Sequence, residues 1–273
     1  IGNTLVEKLL TMGFNVIPIG KKLKPWSLPY IKKNLVRIDL TKDSIPDLGS
    51  IDCACLLASK QPSISNDWND YYKINSEQIL RFTDKKIEQL IYISTSSVNL
   101  INNIPNPKNH YGLSKLVGER LLEINQTFFK QSTVIRFPSV MGFNHNAGII
   151  HDLKLWIENR KEVDLFDKGK KLRNVIHVTD AVKSILSTIN ECKNLNKFEE
   201  FNIGSKESST LQNISMSLID LMNIKTKINL LDKSTKSQDI FIDNSKAISK
   251  LKYSPITIRD GLKKYLKEYD YEV

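Results

Sequence analysis

The chain has 273 residues, of which 40% are hydrophobic and 26% charged, so its composition is that of a folded protein with a sizeable core. No apolar run reaches the roughly 18 residues that a membrane-spanning helix needs, so we expect no membrane association. The net charge is +10. The lysines are scattered without interleaved aromatic residues, and Lys predominates over Arg beside abundant Asn and Ile, as in A/T-rich coding. We therefore expect an anionic small substrate and no nucleic-acid partner.

The cysteines are few. There are three, Cys53, Cys55 and Cys192, and no two of them form a C-x-x-C pair. This usage indicates a reduced, cytoplasmic protein with no disulfide framework and no metal site.

The first half of the chain alternates helical and strand patterns. Leu5, Leu9 and Met12 form a helical stripe, and Gly13 is a suitable stop. Short apolar runs predict strands, and longer amphipathic segments predict helices. In chain order these are strands at 14–20, 35–40 and 51–59, a helix at 69–87, a strand at 89–95, a helix at 111–128 and a strand at 132–137.

The second half is less regular, but it repeats the same alternation. A helix runs into a strand over 153–166, and a strand leads into a helix over 174–189, with a cap near Thr179 or Asp180. A strand at 199–205 and a short amphipathic helix at 259–269 follow. Strands alternating with helices predict an α/β fold with a doubly wound parallel sheet, and continuous apolar runs predict strands covered on both faces.

A group of polar side chains stands out between residues 94 and 115. Thr95 ends a predicted strand, where open parallel sheets bind ligands. Tyr111 and Lys115 share one face of the next helix with Gly118, at about 100° per residue. That face is off the main apolar stripe, which contains Leu113, Val117, Leu121, Ile124 and Phe128.

These residue types suit proton transfer at a carbinol. A nearby ammonium should lower the pKa of a tyrosine, whose ordinary value of about 10 makes it a poor base at neutral pH. The phenol could then exchange the carbinol proton while a hydride moves, with the Thr95 hydroxyl holding the oxygen. An exposed i, i+4 pair of no catalytic importance is the alternative interpretation of the Tyr111 and Lys115 spacing.

Several motifs together resemble the extended short-chain dehydrogenases/reductases, the NAD-dependent epimerase/dehydratase family. "YGLSKLVGE" (111–119) is similar to the active-site helix of that family. The other matching segments occur in the family's order along nearly the whole chain: "CLLAS" (55–59), "KINSEQIL" (73–80), "LIYISTSSV" (90–98), "RFPSVMG" (136–142), "RNVIHVTD" (173–180), "FNIGS" (201–205) and "DNSKAISKLKYSP" (243–255). The resemblance implies a Rossmann-like sheet with a smaller C-terminal substrate-binding lobe, and a homodimer.

The resemblance also implies roles for individual residues. Thr95, or Ser96 one place along, orients the substrate, Tyr111 is the general acid/base, and Lys115 lowers the pKa of Tyr111 and holds the nicotinamide ribose. Ser139 and Arg173 fall at substrate positions, with Arg173 reaching a diphosphate. Gly2 matches the last glycine of the phosphate turn, and Asp39 and Leu40 match an acidic-apolar pair beside the adenine. Ala58 matches backbone near the cofactor phosphates and ribose, and Asn75 matches an Asn of the helix that follows.

The sequence departs from the family pattern at several points. Only Gly2 remains of the glycine-rich phosphate turn, so we interpret the chain as cut at its N-terminus, without the first strand. Ser139 replaces a common Asn, and "KSQD" (236–239) stands where Arg-Pro-Gly-Asp would give a second phosphate clamp. The Thr-Asp-Glu triplet of sugar dehydratases is missing after Thr95, which argues against dehydration.

The predicted function is an NAD(P)-dependent epimerase or ketoreductase acting on a nucleotide-activated sugar. Gly20 occupies the probable position of an NAD-selecting carboxylate, and Lys21 and Lys22 follow, which favours NADP. A non-catalytic sensor or assembly protein of the same fold is the alternative. We expect the dinucleotide-binding part to span 1–140 and 173–204, and the substrate lobe to span 141–172 and 205–273.

Overall fold

The computed structural model describes residues 1–62, 67–98, 100–101, 104–145, 147–159, 162–235 and 238–273. Lys236 and Ser237 of the "KSQD" segment lie outside the described residues.

The helices of this part of the chain are α1 (Gly2–Thr11), α2 (Pro29–Asn34), α3 (Trp68–Asn75), α4 (His110–Ile124), α5 (Ile149–Glu158), α6 (Val178–Asn190), α7 (Leu211–Met222), α8 (Ser245–Leu251) and α9 (Ile258–Lys267). The strands are β1 (Ile19–Gly20), β2 (Val36–Arg37), β3 (Ile51–Leu56), β4 (Ile87–Thr95), β5 (Leu100–Ile101), β6 (Ile104–Pro105), β7 (Gln131–Phe137), β8 (Ser139–Met141), β9 (Val163–Leu165), β10 (Leu172–Arg173), β11 (Val175–His177), β12 (Phe198–Asn202), β13 (Ser209–Thr210) and β14 (Ile228–Leu230).

A four-stranded parallel sheet forms the centre of the molecule. Its strand order is β12-β7-β4-β3, and Ser94 of β4 lies opposite Arg136 of β7. β1 and β2 form a separate parallel pair. This arrangement confirms the predicted α/β fold with a parallel sheet.

Helices cover both faces of the central sheet. On one face, Leu122 of α4 packs against Tyr92 and Val134. On the other face, residues from α1 and α6 pack against the opposite side of β4 and β7, as the continuous apolar runs predict: Leu5, Ile185, Ile91, Ile93 and Ile135.

A second core lies in the C-terminal half. Leu153 of α5, Leu218 of α7 and Leu262 of α9 belong to one buried cluster. Ala247 and Leu251 of α8 pack instead into the core beneath the central sheet. The exact division into the two predicted parts stays a prediction.

Some predicted boundaries were wrong. The predicted strand 14–20 is a strand only at Ile19–Gly20, and the predicted helix 69–87 ends at Asn75, followed by a 3₁₀ turn over Glu77–Phe82. α6 begins at Val178, because the His177 side chain accepts from the backbone N–H of Thr179. His177, and neither Thr179 nor Asp180, is therefore the cap.

Helix α4 buries the face that carries Lys115 and Gly118. Its buried residues are Gly112, Ser114, Lys115, Gly118, Glu119 and Leu122. Most of the apolar stripe is exposed, including Leu113, Ile124 and Phe128. The apolar periodicity thus marks an outer surface of this helix.

Candidate active site

The start of α4 is held against the end of β4. Asn109 caps the helix, because its Oδ1 accepts from the backbone N–H of Gly112 at 2.8 Å. A Cβ at Gly112 would lie 2.9 Å from the Ser97 carbonyl carbon, closer than real side chains come. Glycine at this position therefore lets the first turn of α4 pack on the segment that follows Thr95.

Lys115 is buried beside the carboxyl end of β4. Its side chain is only 2% exposed, and Nζ donates to the Ile93 carbonyl oxygen at 2.8 Å and lies 4.8 Å from the centre of the Tyr92 ring. Burial lowers the pKa of Lys115 to about 7, against the opposing effect of the Glu119 carboxylate. The charge on Lys115 is therefore set by a balance between burial and Glu119.

Tyr111 has a raised pKa in this structure. Burial is the largest cause, and hydrogen bonding with Thr95, Ser59 and Gln61 opposes it. The expected lowering of the Tyr111 pKa by Lys115 is not found, and Lys115 donates to the Ile93 carbonyl. The structure does bring the Tyr111 hydroxyl together with Thr95, as the sequence predicts.

Ser59 and Gln61, which act on Tyr111, were not predicted as site residues. Both follow β3 at the carboxyl end of the sheet, which is the position where polar side chains meet a ligand in open parallel sheets. Their place directly after the apolar run was the available signal.

Asn75 connects the segment after β3 to α4. Its Oδ1 accepts from the Lys60 backbone N–H at 2.8 Å and from the Ser59 hydroxyl at 3.1 Å. Its Nδ2 donates to the Lys60 carbonyl at 3.1 Å and to the Ser114 hydroxyl at 3.0 Å. All four hydrogen-bonding positions of the amide have protein partners, so any effect of Asn75 on a cofactor passes through Ser59 and Lys60.

A buried ion pair lies one helical turn beyond Lys115. Glu119 accepts from Arg136 at both carboxylate oxygens and from the Ser94 hydroxyl. Charged side chains are rarely fully buried unless they are paired, and the sequence alone does not show that Glu119 and Arg136 are partners.

The predicted ribose and adenine positions lie at the ends of β1 and β2. Lys21 Nζ lies 2.7 Å from Asp39 Oδ2, which lowers the pKa of Asp39. Gly20 accepts through its carbonyl from the Ile38 N–H at 3.2 Å, and Leu40 is half-buried. The charge of Lys21 is thus already paired with Asp39.

The predicted phosphate positions lie at the N-terminus of α1 and after β3. α1 begins at Gly2, and its first turn, all of which is described, contains no acidic residue. A helix N-terminus without a carboxylate fits the pyrophosphate of a dinucleotide. The Ala58 carbonyl accepts from Gln78 Nε2 at 3.0 Å, which fixes the neighbouring backbone.

The predicted substrate residues belong to other strands. Ser139 is exposed in β8 and lies opposite Val175 of β11. Arg173 is half-buried in β10, and its Nη1 donates to the Leu172 carbonyl at 2.8 Å and the Gln238 carbonyl at 3.0 Å. Ser96 is half-buried beside Thr95.

Comparison with known proteins gives consistent matches. The profile of the NAD dependent epimerase/dehydratase family matches residues 1–204. A Bacillus subtilis protein named "Uncharacterized UDP-glucose epimerase YtcB" is 28% identical over 298 residues, which cover 96% of this chain and 92% of the relative. The dTDP-4-dehydro-6-deoxyglucose reductase of Escherichia coli is 26% identical over 168 residues, covering 59% of this chain and 52% of the relative.

Solved structures share the fold. The UDP-glucuronic acid 4-epimerase of Bacillus cereus in complex with NAD is 24% identical, with a TM-score of 0.81, and the match covers 98% of this chain and 95% of that one. The UDP-glucose 4-epimerase of Thermotoga maritima with UDP-glucose is 20% identical, with a TM-score of 0.78 and the same coverage. Within the described residues, none of the helices has both the length and the apolar character needed to cross a membrane.

Proposed function

The chain belongs to the NAD dependent epimerase/dehydratase family, and we propose that it epimerises a carbinol carbon of a nucleotide-activated sugar with a nicotinamide dinucleotide as cofactor. The observation that carries the proposal is the meeting of Tyr111 with Thr95 at the end of β4, with Lys115 buried one turn along α4. The UDP-sugars named for the relatives support a UDP-sugar as the substrate class.

Each member of this cluster has a chemical task. Tyr111 takes the carbinol proton and later returns it, while the Thr95 hydroxyl donates to the substrate oxygen as charge develops. Thr95, Ser59 and Gln61 are the groups that oppose the effect of burial on the Tyr111 pKa, and the proposed task of Lys115 is to hold the nicotinamide ribose beside Tyr111. The bound dinucleotide supplies the acceptor and donor of hydride. Gly2, Ala58 and the remaining predicted cofactor positions would hold it along the same edge of the sheet.

The test is conversion of candidate substrates by the purified protein. A panel of UDP-sugars is incubated with catalytic amounts of NAD, and the epimers are separated by chromatography. We expect one member of the panel to be interconverted with its epimer by the wild-type protein and not by Tyr111→Phe. Binding of the dinucleotide without conversion of any sugar would favour the sensor or assembly alternative.

Reduction of a keto-sugar is the second candidate. The observation that favours it is the pair Lys21 and Lys22 after Gly20, which suits the 2′-phosphate of NADP, the usual reducing cofactor. Since Lys21 already pairs with Asp39, the exposed Lys22 carries this preference. Calorimetry should then show NADPH binding more tightly than NADH, with the difference reduced in Lys22→Gln. Tighter binding of NADH would contradict an NADP preference.

We also infer a homodimer that forms through the exposed apolar stripe of α4. Ile124 and Phe128 are 76% and 56% exposed, and Leu113 is also exposed. A second copy offering the same stripe would cover these side chains. Sedimentation should show a dimer for the wild type and a monomer for Ile124→Asp. Phe241→Asp, a change at a comparably exposed apolar residue elsewhere, is the matched control and should stay dimeric. A monomeric wild type would refute the inference.

A further inference from the structure

We propose that Glu119 is a positioning residue of the active site, which keeps Lys115 charged and fixes the end of β4 on which Thr95 lies. The proposal rests on the proposed function, because it assigns Glu119 a task in the proton transfer by Tyr111.

The geometry around Glu119 is fully satisfied and buried. Its side chain is 0% exposed and accepts from Arg136 Nε at 2.8 Å through Oε1 and from Arg136 Nη2 at 2.6 Å through Oε2. The Ser94 hydroxyl donates to Oε1 at 2.5 Å. Two parallel hydrogen bonds to a guanidinium make this the strong bidentate form of the pair.

The contact with Ser94 ties Glu119 to the catalytic strand end. Ser94 stands between Ile93, whose carbonyl oxygen accepts from Lys115, and Thr95, which interacts with the Tyr111 hydroxyl. Holding the Ser94 side chain therefore fixes the two backbone positions on which Lys115 and Tyr111 depend.

The charge of Glu119 reaches Lys115 directly. The two residues are four apart on α4, and the Glu119 carboxylate opposes the lowering of the Lys115 pKa that burial causes. Without that carboxylate, Lys115 would lose its proton at a still lower pH. The other charged or titratable groups around Glu119 come from four elements and are Tyr92, Arg120, Arg136 and Glu200.

A purely structural role would not need this chemistry. A buried ion pair is weak evidence for stability, because a well-packed apolar pair of similar volume often holds a fold equally well. What Glu119 and Arg136 add over an apolar pair is a carboxylate one turn from Lys115 that also accepts from the Ser94 hydroxyl.

The experiment follows the protonation of Lys115 itself. In protein labelled at lysine Cε with ¹³C, the Lys115 resonance is assigned by its loss in Lys115→Met, and its titration midpoint is measured by NMR. We expect the midpoint to fall by about one pH unit or more in Glu119→Gln. Glu123→Gln, one turn further along α4 and half-exposed beside Arg120, is the matched control and should keep the wild-type midpoint.

A double variant covers the case in which Glu119→Gln does not fold, since that change leaves Arg136 with Glu200 as its remaining carboxylate. Glu119→Gln with Arg136→Met removes both charges of the pair and should also lower the midpoint. A wild-type midpoint in the folded single or double variant would overturn the proposal. The titration needs no substrate, so a shifted midpoint in a protein that converts no nucleotide sugar would refute the proposed function alone.

Discussion

Replacing Lys115 with Met should remove a pH dependence from the free energy of unfolding. Burial lowers the pKa of Lys115 from 10.5 to about 7 in the folded protein. Between these values the unfolded chain holds more protons than the folded one, so the free energy of unfolding rises with pH. At about 1.4 kcal/mol per pH unit, the whole contribution is about 5 kcal/mol. This stabilising contribution is fully present above the pKa that Lys115 has in the unfolded chain, and it is lost as the pH falls through the pKa that Lys115 has in the folded protein.

The assay is urea unfolding of the dinucleotide-free protein at several pH values from about 6 to about 9. The wild-type free energy of unfolding minus that of Lys115→Met should stay level up to about pH 7 and then climb by about 1.4 kcal/mol per pH unit. Lys108→Met, which changes an exposed lysine, is the control. Its free energy of unfolding should change with pH in the same way as that of the wild type. A difference between wild type and Lys115→Met that stays constant across the range would refute the assignment of a lowered pKa to Lys115.

Three further predictions concern single substitutions. Tyr111→Phe should reduce kcat by about 10²-fold or more without changing dinucleotide affinity, measured by steady-state kinetics and calorimetry. Gly118→Ala should destabilise the protein by about 1–3 kcal/mol in urea unfolding, because the new Cβ would lie 2.7 Å from Tyr92 Cζ. Arg173→Met should raise the KM for a UDP-sugar at least about tenfold with little change in kcat, because it removes a phosphate partner.

Controls and contrary outcomes differ for these substitutions. Near-normal turnover in Tyr111→Phe would exclude it as the acid/base. Gly20→Ala, where a Cβ would meet only Leu35 at 3.7 Å, should be close to neutral, and an equally small effect at Gly118 would refute the steric argument. A loss of kcat in Arg173→Met at unchanged KM would show that this arginine does not serve in ground-state binding.

The main sheet could be predicted because its strands are long, apolar and buried. β4 contains the apolar run Leu90–Ile93, and β7 contains Val134, Ile135 and Phe137 and is buried throughout. β1 and β2 were predicted too long, because only two residues of each make ladder hydrogen bonds. α8 has seven residues and no capping side-chain hydrogen bond, which leaves little local signal.

The site was predicted in part. Thr95, Tyr111 and Lys115 stand out in the sequence because their spacing and residue types fit a known chemistry. The structure brings Thr95 to Tyr111, and the catalytic roles of the three residues stay predictions. The sign of the pKa shift of Tyr111 could not be predicted, since it depends on burial, which spacing alone does not give. The burial of Glu119 could not be predicted either, because its partner Arg136 lies on a different element and is distant in sequence.

The stoichiometry of the cofactor tests the central claim most directly. Protein carrying bound dinucleotide is mixed with the UDP-sugar that it converts, and both the epimer and the absorbance band of reduced nicotinamide are followed. An epimerase returns the hydride that it takes, so we predict many turnovers per dinucleotide with no net change in that band, and none in Tyr111→Phe. Consumption of one reduced dinucleotide for each product molecule would contradict the account and identify a reductase.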